Sequence, residues 1–387
     1  MKSIELFAGA GGLGMGIDNA GFDHAAIVEM DHYCCETIRQ NRKRGLAQLN
    51  KWPLMEEDVR EVDFSRFADK IDLVAGGPPC QPFSLGGKHR GPLDKRDMFP
   101  EATRVVRETR PKAFLFENVK GLTRATFANY LEYIVLQLTY PELVANEQED
   151  WVGHLRRLER QHTQGHSDGL RYNVVYRVLN AANYGVPQRR ERIFLVGFRA
   201  DLKVRWSFPQ ETHSLDSLLW AQWRSDEYWD RHKVARKDRP TSQKMQTRAE
   251  QIEELPFLKP WRTVRDAIFD LPDPQLSTHG KEIFNHRHQP GARTYKGHTG
   301  SPMDLPAKTL KAGDHGVPGG ENMLTRIDGS VRYFTVREAA RLQTFPDDYI
   351  FNGSWTETMR QLGNAVPVTL GQTVARNIYE QLRAVLP

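Results

Sequence analysis

Along the first two hundred positions, apolar residues gather in short runs, each closed by glycine, proline or a charged residue. The runs Ile4 to Phe7, Ala25 to Val28, Leu73 to Ala75, Ala113 to Phe116, Val174 to Leu179 and Ile193 to Phe198 predict β-strands. Between them, Tyr33 to Arg44, Pro100 to Thr109 and Phe127 to Leu138 space their apolar residues as helices do. This alternation predicts an α/β fold with a doubly wound, mostly parallel sheet. Glu142 to Arg171 breaks the pattern; polar, charged and His-containing, it reads as an inserted surface segment.

The alternation stops after Arg199. From Asp201 to about Ser330 the chain is loop-like, and Trp206, Trp220, Trp223, Trp229 and Trp261 gather there. Basic residues cluster in the same stretch, with seven and a single acid from Arg231 to Arg248. Helical spacing returns in Val336 to Gln343 and Leu370 to Leu386. The predicted organisation is therefore a catalytic and ligand-binding domain over 1–200, a smaller loop-rich domain over 201–330, and a segment over 331–387 that returns to the first domain.

Composition narrows the function classes. The net charge of +5 suits a nucleic-acid partner without requiring one. No apolar run of ~18 residues predicts a transmembrane helix, and the first residues enter a strand at once rather than forming a signal peptide. Three cysteines, two of them the adjacent Cys34 and Cys35, do not make a disulfide framework, which points to a reducing, cytoplasmic setting.

Candidate chemistry sits at the ends of the predicted strands, where open α/β sheets bind ligands. After the first strand, Gly9, Gly11 and Gly14 have the G-x-G-x-x-G spacing that allows a tight turn and close approach of a ligand to a helix N-terminus. A nicotinamide dinucleotide satisfies that spacing equally well. Glu29, 20 residues after Gly9, is placed to bind two ribose hydroxyls, and Asp58, followed by Val59, to hold an adenine amino group. Pro78-Pro79-Cys80-Gln81-Pro82-Phe83-Ser84 follows the strand ending at Ala75 and fixes a cysteine in a rigid loop. Taken alone, Cys80 is either a nucleophile or a packed structural thiol. Glu117, at the end of the strand Ala113 to Phe116, is a candidate acid raised in pKa by desolvation. Arg190 and Arg192 share one face of an extended segment and can offer bidentate hydrogen bonds to a polar substrate edge or a phosphate.

In this order the motifs resemble those of the bacterial DNA (cytosine-5)-methyltransferases of restriction–modification systems. The match runs through Glu5 to Gly14, Glu29, Asp58-Val59, Pro78 to Ser84, Glu117-Asn118-Val119, Gln188 to Arg192, Arg337 to Phe345 and Gln361 to Pro367. The resemblance implies a Rossmann-like methyltransferase fold with a target-recognition domain, and S-adenosylmethionine as methyl donor, with no metal. Phe7, Gly9, Gly12, Glu29, Asp58, Val59, Pro79, Asn364 and Val366 match its pocket, with Ala8 and Met30 beside them. Cys80 matches the nucleophile that adds to carbon 6 of cytosine. Glu117 matches the carboxyl on ring nitrogen 3, and Arg192, with Arg190 beside it, the group on the base oxygen.

The resemblance further implies a double-stranded DNA partner and a flipped cytosine. Ser84 matches a loop residue at the DNA backbone, and Gln81, Lys88, Arg90, Gln188, Thr309 and Leu310 are the other candidate DNA-binding residues. Gly86 to Gly91 reads as a basic lid hinged on glycine. A monomer acting alongside a separate restriction endonuclease is the expected arrangement. Two rivals are a transfer-RNA cytosine-5 methyltransferase of the same superfamily and a dinucleotide-dependent oxidoreductase. The first usually has Thr at the position of Ser84 and a shorter recognition region, and the second gives no account of Cys80, Glu117 and Arg192.

Overall fold

The structure is a computed structural model, described here for residues 1–79, 97–165, 169–276, 283–294, 296, 299–313 and 322–386. Its centre is a seven-stranded sheet built from β1 (Lys2–Leu6), β2 (Asp23–Glu29), β3 (Leu54–Glu56), β4 (Leu73–Gly76), β5 (Ala113–Val119), β6 (Tyr172–Asn180) and β7 (Glu191–Arg199). The spatial order is β3-β2-β1-β4-β5-β7-β6. β7 pairs antiparallel with both β5 and β6, and the other pairs in this sheet are parallel. Six of these strands coincide with predicted apolar runs. β3 is the seventh; at three half-buried residues it is too short for periodicity to show.

The chain leaves β1 toward β2 and β3 on one side and returns to β4 and β5 on the other. The gap between β1 and β4 is thus a topological switch point, where the carboxyl ends of the strands open a crevice. Helices α1 (Gly12–Ala20), α2 (His32–Lys43), α3 (Phe99–Thr109) and α4 (Ala128–Thr139) cover the sheet. Alternate residues of one strand serve both layers: Ile4 and Leu6 of β1 join one core cluster, while Ser3 and Glu5 face the other side.

The segment read as a surface insertion is a helix, α5 (Trp151–Gln164). Leu155 and Leu158 are buried in the core cluster that holds α4, and His154 is buried with its Nδ1 2.9 Å from Tyr133 Oη. Its apolar positions are too widely separated by charged ones to stand out in composition.

Residues 201–330 carry α6 (Leu215–Trp223), α7 (Glu227–His232), α8 (Gln243–Glu250) and α9 (Val264–Ile268), with only short strands among the described residues. Leu218, Ala221, Tyr228 and Trp229 form a small core of their own. Val264, Ile268, Ala307, Leu310 and Leu324, in contrast, pack in one cluster with Ala8, Ile27 and Phe334, so hydrophobic packing crosses the expected boundary at 330. Beyond it come α10 (Val336–Leu342), α11 (Trp355–Asn364) and α12 (Val368–Val385). α12 lies on α1, with Val374 and Ile378 in one cluster with Leu13 and Ile17. No described helix is long and apolar enough to cross a membrane.

Candidate active site

One cavity of ≈ 440 Å³ opens at the switch point. Its first wall is the turn after β1. Gly9 and Gly11 have φ of 57° and 82°, and Phe7 is also left-handed at 55°. Glycine tolerates that region without cost, whereas a bulky side chain held there marks a strained, over-determined turn. Gly12 starts α1 with no room for a side chain: a Cβ would run into the Val366 carbonyl. His24 holds this turn from below, with Nε2 3.0 Å from the Gly14 carbonyl and Nδ1 3.1 Å from Ser3 Oγ. Burial pushes its pKa down to about 4, so the ring is neutral.

Glu29 ends β2 beside that turn. Gly9 N–H donates to its Oε2 at 2.7 Å and Asp31 N–H to its Oε1 at 2.7 Å. Burial raises its pKa, and the two N–H donors oppose the rise. Asp58 stands at the next strand end, where Arg60 engages both carboxylate oxygens and lowers its pKa. An incoming amino group would therefore compete with a guanidinium. Phe7, Ala8, exposed Met30, Val59, exposed Pro79, exposed Asn364 and Val366 complete this end of the cavity.

The far end is built by β5 and β7. Val119 pairs with Arg192 and Glu117 with Phe194, which puts Glu117 and Arg192 on one sheet face as diagonal neighbours. Arg192 Nε stands 2.9 Å from Glu117 Oε1, yet its N–H is not aligned with that oxygen, which has no hydrogen bond. Burial raises the Glu117 pKa, opposed by Arg192 and then Arg190. Guanidinium groups keep their protons, so the cost of enclosing this cluster falls on the carboxyl. Asn118 Nδ2 donates to the Pro78 carbonyl at 2.8 Å, and Met98 N–H to the Pro79 carbonyl at 2.9 Å. These two bonds fix the backbone that leads into Cys80. Cys80, Gln81, Ser84, Lys88 and Arg90, with the rest of the lid segment, lie outside the described residues.

The sequence profile of the C-5 cytosine-specific DNA methylases matches residues 1–140 and 152–380. The chain belongs to this family. The methylase is 32% identical over 388 residues to the Type II methyltransferase M.PspPI of Psychrobacter sp. (strain TA137), covering 98% of this chain and 79% of that protein. It is 31% identical to M.NgoMIV of Neisseria gonorrhoeae, over 98% of both chains. Among solved structures, a putative DNA modification methyltransferase encoded within an E. coli prophage superposes with a TM-score of 0.59 at 21% identity, covering 99% of each chain. The S. pombe Dnmt2 methyltransferase gives 0.56 at 19% identity, again with 99% of each chain. At these identities the two structures speak to the fold.

Several expected site residues of the methylase occupy different surroundings from those anticipated. Arg190 lines the cavity but is fully buried, with Nη1 on the Leu310 carbonyl at 3.1 Å and Nη2 on the Gly363 carbonyl at 2.7 Å. Gln188 and Leu310, expected at DNA, have no open surface to offer it. Gln188 Oε1 accepts from Leu310 N–H at 3.1 Å, and its Nε2 donates to the Leu342 carbonyl. Half-buried Thr309 donates to the Arg189 carbonyl at 2.7 Å. The Thr309-Leu310 pair thus bolts the 300s segment to the entry of β7.

Sequence reasoning gave no site role to Glu5, Asp31 or Arg360, all of which line the cavity. Glu5 is buried, with burial raising its pKa and Oε2 unpartnered. A carboxyl among buried residues of a central strand was its available signal. Asp31 N-caps α2 by accepting from Cys34 N–H, as its position before a predicted helix allowed. Arg360 had no local signal.

Proposed function

We propose that this methylase transfers a methyl group from S-adenosylmethionine to carbon 5 of a cytosine within a specific double-stranded DNA sequence. The observation that carries this reading is one cavity with Gly9 and Glu29 at one end and Glu117 and Arg192 at the other. The cofactor end fits the donor: a cavity of this size holds a nucleoside-sized ligand. A Cβ at Gly9 would meet nothing within 4 Å, so the turn is open on its ligand side. The Glu29 oxygens each accept one N–H, leaving lone pairs for two ribose hydroxyls. S-adenosylmethionine supplies an electrophilic methyl group on a sulfonium.

Carbon 5 of cytosine is a weak nucleophile. Addition of the Cys80 thiolate at carbon 6 moves an electron pair toward carbon 5 and converts the ring to an enamine-like species. Glu117, whose pKa burial raises, hydrogen-bonds or protonates ring nitrogen 3 as charge develops there. Arg192 holds the base oxygen. With the donor bound, carbon 5 would take the methyl group while the sulfonium sulfur keeps the bonding pair and leaves as S-adenosylhomocysteine. Loss of the carbon 5 proton to a solvent base, with cleavage of the sulfur–carbon 6 bond, then restores the ring and frees Cys80. The target atom is inaccessible in a stacked duplex, so the base is extruded at a cost of a few kcal/mol, offset by contacts to the backbone.

Residues 201–330 serve as the target-recognition region in this reading. Its basic cluster is less free than composition implies. Arg231, Arg239 and Arg248 lie 2.8, 2.9 and 2.7 Å from Asp266, Asp226 and Asp216, while Lys233, Lys237 and Lys244 have no ion-pair partner among the described residues. Surface pairs of this kind are weak, and phosphates can replace the carboxylates. The enzyme acts as a monomer in the cytoplasm and protects host DNA from a separate endonuclease of the same specificity. Bisulfite sequencing of DNA from a host expressing the chain tests the reading. Protected cytosines within one short recurring sequence are expected; a fully converted genome would overturn it.

A further inference from the structure

Arg360 has no part in the roles above, yet it lines the cofactor end of the cavity from the opposite end of the chain. It sits on α11, one turn before Asn364. Its Nη2 donates to Asp31 Oδ2 at 2.7 Å, and Nη2 and Nε donate to Glu357 at 2.6 and 3.0 Å. Asp31 in turn accepts from Cys34 N–H through Oδ1 at 2.9 Å, while its own N–H donates to Glu29 Oε1 at 2.7 Å. Every group from α11 to the Glu29 carboxylate is therefore engaged in sequence.

We infer that Arg360 is a positioning residue for the cofactor: its ion pair with Asp31 fixes the turn whose N–H orients Glu29. This inference rests on Glu29 being the ribose-binding carboxylate. The carboxylate–ribose bonds need one orientation of Glu29, and a free turn after β2 would have to be ordered at the time of binding, at a cost in affinity. Charge works in the same direction. Asp31 faces Glu29 and by its own charge disfavours ionised Glu29; the guanidinium of Arg360 offsets that charge. The same pair also joins the helix that carries Asn364 to the tip of β2, closing the cavity wall between two segments 329 residues apart.

The test is calorimetric binding of S-adenosylhomocysteine, without DNA, to the wild type, Arg360→Met, Arg360→Lys, Asp31→Asn and the double variant Arg360→Met/Asp31→Asn. Arg360→Met is expected to raise Kd about tenfold, as for loss of one coupled polar pair. Arg360→Lys should recover most of that loss. The double variant should bind no worse than the poorer single one, because both changes break the same link. In turnover assays KM for the methyl donor should rise with Kd, while kcat at saturation stays within about twofold. If Arg360→Met does not fold, Lys and Asp31→Asn decide alone. Wild-type affinity in every folded variant, or a fall in kcat at unchanged Kd, would overturn the inference. Wild-type protein that binds no S-adenosylhomocysteine would instead overturn the reading of the cavity.

Discussion

At the cofactor end of the cavity, each oxygen of Glu29 is met by a backbone N–H at 2.7 Å. At the base end, Glu117 is still more deeply enclosed, and one of its oxygens has no hydrogen bond although Arg192 stands 2.9 Å away. The first arrangement is complete before any ligand arrives and suits uniform binding, which lowers KM. The second leaves one carboxyl oxygen without a hydrogen bond, and in the proposed mechanism it would be matched as charge develops on the base, a difference that would raise kcat. Two carboxylates in one cavity are thus separated into roles by what surrounds them.

The largest expected effect falls on the base end. Glu117→Gln should reduce kcat about 10³-fold, in the range for loss of a positioned acid, and leave the Kd of S-adenosylhomocysteine within about twofold. Single-turnover kinetics beside calorimetry measures both. Equal losses in the two would mean that the two ends of the cavity do not have separate roles.

The next effect concerns the support under the cofactor turn. His24 has a folded pKa of about 4, against about 6.5 in the unfolded chain. The unfolded state binds more protons in that window, so the stability the neutral ring provides is present above pH 6.5 and is lost as pH falls toward 4. The loss is about 3 kcal/mol. Denaturant unfolding between pH 7 and 4 should show it, and His24→Gln should flatten the profile. An unchanged profile would remove His24 from the support of Gly14.

A smaller effect belongs to Glu29. Glu29→Gln should raise KM for the methyl donor about 10–30-fold, as expected for a lost charge-assisted pair of hydrogen bonds, with kcat nearly constant. A fall in kcat alone would reverse the roles assigned to the two ends. Smallest is the change in the recognition region. Replacing Lys233, Lys237 or Lys244 by alanine should lower the salt dependence of DNA binding by about one unit of slope at most, with no effect on cofactor affinity. A slope unchanged in all three would place the phosphate contacts elsewhere.

Six of the seven strands of this sheet were legible because each is an apolar run bounded by breakers, and the ends of two of them located Glu29 and Glu117; β3, three half-buried residues long, was not. Residues that act across long distances were not. Arg360 meets Asp31 only because α11 folds back over the tip of β2, and nothing near Arg360 in sequence announces that partner. Gln188 and Leu310 show the opposite error: motif position drew them toward DNA, while burial makes them a joint between the 300s segment and β7. The basic cluster from Arg231 to Arg248 misled in a related way, since its carboxylate partners Asp216, Asp226 and Asp266 all come from outside that stretch. Composition counts charges along a chain, but neutralisation happens in space.

The proposed mechanism turns on covalent activation of cytosine by Cys80. The most direct measurement incubates the enzyme with S-adenosylmethionine and duplex DNA carrying 5-fluorocytosine at the methylated position, followed by denaturing electrophoresis and peptide mass analysis. A fluorine at carbon 5 cannot leave as a proton, so a stable protein–DNA adduct through Cys80 is expected, absent in Cys80→Ser. Turnover on ordinary cytosine with no adduct on the fluorinated duplex, or an adduct through another residue, would contradict it.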